Sequence, residues 1–87
     1  MGSFVYVLES ERDRRLYIGI THDVASQLKR HNAGGVFSTR YRRPLKLLGS
    51  KQFEMFSRAR EAEVRLKQFK DPTRVRTWIR SESSWWA

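Results

Sequence analysis

The chain has no cysteine. Disulfides, thiolate-held zinc and a cysteine nucleophile are therefore excluded. Its two histidines, His22 and His31, are too few for a histidine-rich metal cage. No apolar run approaches the roughly 20 residues that a membrane helix needs, so no membrane partner is expected. The first residues lack the long apolar segment of a secretory signal, and Tyr6 stands where a myristoylation pattern needs Ser or Thr. A cytoplasmic address is the expectation. Acid is also scarce: nine Asp and Glu face eighteen Lys and Arg.

That scarcity leaves a net charge of +9 on 87 residues. A single-sign excess this dense repels itself and costs a small fold stability. A polyanionic partner relieves it. Nucleic acid fits best, because each neutralised phosphate releases counterions. The plainer accounts are a merely basic protein or a ribosome-associated one. The length suits one domain, at 1–87, with a core at about 4–80 and a tail at 81–87. A hydrophobic share of 39% argues against disorder. A monomer is the expectation.

FVYVLES, from Phe4 to Ser10, is β-branched and aromatic and reads as a strand. LYIGI, from Leu16 to Ile20, reads as a second, and the short polar link ERDRR makes the two an antiparallel hairpin. Both runs are nearly all apolar, so both faces should be covered. Thr21, His22 and Asp23 are helix-cap candidates. Val24, Leu28 and His31 follow at helical spacing, and Gly34-Gly35 supplies a stop, which predicts a helix over Val24 to Asn32. Val36 to Arg43 reads as a loop. Pro44 opens a third extended segment that ends near Phe56. Ser57 is the expected cap of a second helix, with Ala59, Ala62, Leu66 and Phe69 on one stripe and an end near Lys70. Asp71-Pro72 starts a third, with Val75, Trp78 and Ile79 as its apolar face. Trp85 and Trp86 either pack back on the core or lie exposed. The order ββα, β, αα predicts an α+β domain, a small sheet covered by helices.

Several side chains could carry chemistry. Tyr6 and Tyr17 can meet on one face of the hairpin. Gly19 shares the face of Tyr17, and a glycine there leaves room for a ligand. The plainer account is two core tyrosines and a packing glycine. Gln27 and His31 are one helical turn apart, with Arg30 close by; the plainer account of His31 is a basic residue favoured at a helix C-terminus. Glu63 borders the apolar stripe of the second helix, where a half-buried carboxylate can still face a cation. Its plainer account is an ion pair with Lys67. Ser38, Thr39, Arg40, Arg42, Arg43 and Lys46 offer hydroxyls and cations suited to phosphate and sugar contacts, or form a solvated loop.

Taken together, these segments resemble the GIY-YIG nuclease family. The first motif stands as Val5-Tyr6-Val7 and the second as Tyr17-Ile18-Gly19. The helix signature stands in DVASQLKRHNAGG, with His31-Asn32 and Gly34 in place. STRYRRPLKLL is similar to the Ser-Thr-basic-Pro stretch of small single-domain members, and AREAEVRLK places Glu63 at the family's metal-binding glutamate. The likeness runs from about Phe4 to Lys70, and the ordered set is far more specific than either short motif. It implies a three-stranded antiparallel sheet flanked by three helices, of the small stand-alone bacterial type. It also implies a DNA endonuclease that hydrolyses phosphodiesters with Mg²⁺ or Mn²⁺ on Glu63, in repair or recombination. Tyr6 or Tyr17 would orient or deprotonate the attacking water, and His31 would move a proton or bind phosphate. Tyr6, Tyr17, Gln27, His31 and Glu63 are expected to line one pocket, with Gly19, Arg30 and the loop residues against the substrate.

One position departs from the family. Its catalytic arginine would stand just ahead of Leu28, where this chain has Gln27. Losing such a preorganised group typically costs about 10²–10³ in rate. Three readings stay open: Arg30 substitutes, the chain is an engineered inactive variant, or it binds nucleic acid and cleaves poorly. Gln27→Arg is expected to raise cleavage about 10²-fold if the arginine is simply missing, and little if Arg30 fills the role.

Overall fold

A computed structural model describes residues 2–80. The expectation for Trp85 and Trp86 lies outside the described residues. The chain runs β1 (Ser3–Ser10), β2 (Leu16–Thr21), α1 (Val24–Asn32), a 3-10 turn (Phe37–Arg42), β3 (Leu45–Phe53), α2 (Phe56–Gln68) and α3 (Pro72–Arg80). The strands form one antiparallel sheet in the order β2-β1-β3. The fold is therefore α+β, as expected.

The central place of β1 explains its composition. It is paired on both edges and covered on both faces, and all of it except Phe4 is buried. Alternation sends Val5 and Val7 to one face and Tyr6 and Leu8 to the other. Val5 and Val7 pack with Ala59, Ala62 and Leu66 of α2 and with Val75, Trp78 and Ile79 of α3. Tyr6 and Leu8 pack with Leu45, Tyr17 and the Val24 and Leu28 side chains of α1. Two small cores thus lie back to back, and the apolar stripes read from the sequence face them.

The caps follow from the local sequence. Asp23 accepts from the Ser26 N–H at 3.1 Å and starts α1. Beyond its end Gly34 adopts a φ of 83°, a left-handed conformation that glycine takes without strain. Asp71 accepts from the Thr73 N–H at 2.9 Å and opens α3 at Pro72. The second helix differs from expectation: Met55 is its N-cap, no side chain caps it, and Ser57 lies inside its first turn. It ends at Gln68 rather than near Lys70. β3 is also shorter than the extended run to Phe56, and part of the expected loop winds into the 3-10 turn.

Glu9, at the end of β1, is a buried acid surrounded by cations. Arg76 donates to it at 2.6 and 3.1 Å, Lys46 lies 3.2 Å away and Arg14 3.5 Å. The Arg76 hydrogen bonds, with help from Lys46 and Arg14, hold its carboxyl below the usual carboxylate range against the cost of burial. This network pins α3 to the central strand.

Candidate active site

The register of the hairpin builds the site. Tyr6 pairs with Gly19 across β1 and β2, and Tyr17 stands two residues before Gly19 on the same face. The Tyr6 and Tyr17 ring centroids are 6.2 Å apart. A Cβ at Gly19 would lie 2.7 Å from the Tyr6 hydroxyl and ring, so only glycine admits the Tyr6 side chain there. β2 is an edge strand of the sheet, and Gly19 lies on it.

His31 closes the inner side. Helix α1 carries it beneath both tyrosines, with its ring centroid 4.6 Å from that of Tyr17 and 6.1 Å from that of Tyr6. Nε2 lies 3.3 Å from the Tyr6 hydroxyl and Nδ1 lies 2.8 Å from Thr39 Oγ1. Thr39 has the Val36 carbonyl, an acceptor only, 3.5 Å away. That pattern assigns the proton to Nδ1. His31 then donates to Thr39 and accepts from Tyr6.

The electrostatics match this arrangement. Burial, and then the Arg30 charge, lower the His31 pKa, so the imidazole is neutral at pH 7. Tyr6 is pushed up to about 12, chiefly by burial and then by Tyr17 beside it, with Arg30 opposing. Tyr6 is therefore a protonated phenol that gives its hydrogen to His31.

Glu63 arrives from the other side of the sheet. Helix α2 packs on the Val5 and Val7 face, and its Glu63 reaches the same cleft at the β2 edge. The cleft has a volume of about 380 Å³ and is lined by Tyr6, Tyr17, Gly19, Gln27, Arg60 and Glu63, together with Ile20 and Phe56. Glu63 is 7% exposed and is the one carboxylate of that lining. Its Oε1 accepts from Arg60 at 2.5 Å and its Oε2 from Lys67 at 3.1 Å. The Lys67 pair read from the sequence is present, and it coexists with a cleft position. Arg60 was missed by sequence reasoning, although its spacing of three residues before Glu63 was the signal.

The remaining expected residues divide. Tyr6, Tyr17, Gly19, Gln27 and Glu63 converge. His31 supports them but is fully buried, and both ring nitrogens are engaged, so it does not reach a phosphate. Thr39 is likewise fully buried and faces His31, not a substrate. Arg30 does not line the cleft; its stem packs at the end of α1 beside Gly35. Lys46 turns to Glu9, its partner in strand register, and Arg42 lies 3.5 Å from Asp13. Ser38, Arg40 and Arg43 stay exposed, and the two arginines line a second cavity of about 420 Å³ with Arg12, Asn32, Tyr41 and Pro44. The 3-10 turn thus holds His31 from inside and presents cations outside. Asn32 fastens α1 to β3, its side chain bonding both the N–H and the carbonyl of Leu45.

The model of the GIY-YIG catalytic domain family matches residues 2–76. The chain belongs to that family. A UPF0213 protein of Bacillus velezensis is 46% identical over 66 residues, which are 75% of this chain and 66% of the relative. A UPF0213 protein of Streptococcus agalactiae is 45% identical over 67 residues, 76% of this chain and 75% of that one. The solution NMR structure of a UPF0213 protein from Bacillus halodurans is 31% identical, covers 88% of this chain and 82% of its own, and superposes with a TM-score of 0.56. The hairpin, α1 and α2 all lie within the residues that the family model matches. No helix among the described residues is long and apolar enough to cross a membrane.

Proposed function

We propose that the chain is a DNA endonuclease that hydrolyses a phosphodiester with one divalent cation, Mg²⁺ or Mn²⁺, at Glu63. The observation that carries this reading is the meeting of Tyr6, Tyr17 and Glu63 in one cleft, which Gly19 also lines. Among the described residues no three His, Cys, Asp or Glu side chains gather as a cation cage. A single carboxylate suits a hard cation that keeps water and takes phosphate oxygens. It does not suit zinc, which asks for several protein ligands. When bound, such a cation offsets charge on the phosphate and on the leaving oxygen.

The protein's own groups handle water and proton. Tyr17 and Tyr6 present hydroxyls at the cleft that can orient water. Tyr6 is too weak an acid to sit as a phenolate. Its route to base catalysis is a relay: its oxygen takes a proton from water while its own passes to His31 Nε2. Burial of His31 keeps that nitrogen free to accept. Arg40 and Arg43, outside the cleft, hold the backbone of the strand.

The test is nicking of supercoiled plasmid in Mg²⁺ or Mn²⁺, against EDTA and against Glu63→Ala. Metal-dependent nicking that Glu63→Ala abolishes is expected. A second reading has its own support in the uncharged Gln27 of the cleft lining: a module that grips DNA without cleaving it. Duplex binding with no nicking in either metal establishes that reading in place of the first.

A further inference from the structure

Gln27 leaves α1 without a charged donor in the cleft, yet a guanidinium is there. Arg60 lines the same cleft from α2. The geometry points to Arg60 as the group that binds the phosphate under attack, performing from α2 the task that an arginine at position 27 would perform from α1. This inference rests on the nuclease reading above.

Three observations carry it. Arg60 and Gln27 line one cleft with both tyrosines and Glu63, so a phosphate seated among them is within the space that both side chains border. The Arg60 side chain is 61% exposed and contacts Glu63 Oε1, while Glu63 Oε2 keeps Lys67. A guanidinium has five donors in a planar fork, so Arg60 can contact Glu63 and an anion together. The competing arginine, Arg30, lies outside the lining, with its stem beside Gly35.

Glu63 also gives the arrangement an order. Its oxygens hold Arg60 and Lys67, and one carboxylate against two cations leaves the group net positive toward a phosphate. A cation held at Glu63 Oε1 would displace Arg60 from that oxygen and free its donors for the phosphate. In this arrangement the guanidinium is already in the cleft when the substrate and the cation arrive.

The test compares the parent chain with Arg60→Gln, Arg60→Lys, Gln27→Arg, the Arg60→Gln/Gln27→Arg double variant, Arg30→Gln and Arg58→Gln. Two readouts are taken: single-turnover nicking of plasmid in Mn²⁺, and affinity for a 20-base-pair duplex against salt in Ca²⁺. Arg60→Gln is expected to slow nicking about 10²–10³-fold. Arg60→Lys keeps the charge but loses the fork, and slows it about 10-fold or more. The double variant recovers at least 10-fold over Arg60→Gln, a larger gain than Gln27→Arg gives in the parent. Arg58, outside the cleft on the same helix, leaves the rate unchanged when replaced. In Ca²⁺ the slope of log affinity against log salt becomes shallower by about one contact in Arg60→Gln. Nicking by Arg60→Gln at the parent rate overturns the proposal, as does finding the whole loss in Arg30→Gln. If the parent does not nick at all, the nuclease reading fails by itself. The salt slope then decides, and an unchanged slope in Arg60→Gln places the guanidinium away from the phosphate.

Discussion

Tyr6 gives its hydroxyl hydrogen to His31 across 3.3 Å, and both side chains are buried. The pair is the inner wall of the cleft, and removing either partner leaves a buried polar atom alone. Tyr6→Phe is expected to destabilise the fold by about 1–3 kcal/mol, measured by urea unfolding. It should also slow nicking by about 10²-fold or more, since the relay loses its first acceptor. A variant as stable as the parent would mean that water replaces the phenol beside Nε2.

The depressed His31 pKa makes stability depend on pH in a defined window. The unfolded chain takes up a proton near the ordinary histidine value of 6.5, and the folded chain does so only at lower pH. Below 6.5 the unfolded state therefore binds more protons, and stability falls as pH falls. Glu9 acts in the same direction but lower, below its ordinary 4.5. Thermal melts between pH 7.5 and pH 5 should show a loss that is absent from His31→Gln. Parallel curves for the two chains would assign the loss to other groups.

Gly19→Ala is a probe of space. The new methyl would lie 2.7 Å from Tyr6, which must shift. Overpacking of this kind costs about 1–3 kcal/mol. Nicking should fall further than stability, because the displaced group is Tyr6 itself. Full activity in the variant would show that the Tyr6 position is not critical.

Glu63→Ala should abolish metal-dependent nicking and spare duplex binding, since exposed arginines still hold the backbone. Removal of the metal with EDTA should do the same to the parent. Equal loss of binding and nicking in the variant would point to a structural glutamate instead.

Duplex binding should be independent of sequence and steep in salt. For about six neutralised phosphates the slope of log affinity against log salt is about −5. Replacing Arg40 and Arg43 with alanine should make it shallower by about two. A flat titration in the parent would assign the positive charge to another task.

Much of this was legible in the residues. The hairpin follows from two β-branched runs and a short polar link, and Asp23, Gly34 and Asp71-Pro72 mark helix ends by their own chemistry. Tyr6, Tyr17 and Gly19 share a face because strand alternation requires it. Other features depend on contacts far apart in sequence. Lys46 reads as a substrate cation until strand register sets it against Glu9, which the spacing of loop residues does not encode. Thr39 reads as a loop hydroxyl until the 3-10 turn folds it onto His31. Arg60 is hidden in a different way. Three residues before a glutamate on a helix, it has the pattern of any surface ion pair, and only the packing of α2 at the sheet edge turns it into the cleft.

The Thr39 contact ties a buried ring to a segment that lies on the surface. The 3-10 turn carries Phe37 and Tyr41 exposed at 78% and 72%, beside Arg40 and Arg43. Exposed loop tips are where proteases cut. One cut between Phe37 and Arg42 would leave every cleft residue in the molecule and remove the tether that orients His31. The protein would keep its sheet and its glutamate and lose the alignment of its tyrosine, so a nick in that turn would act on the cleft from outside it.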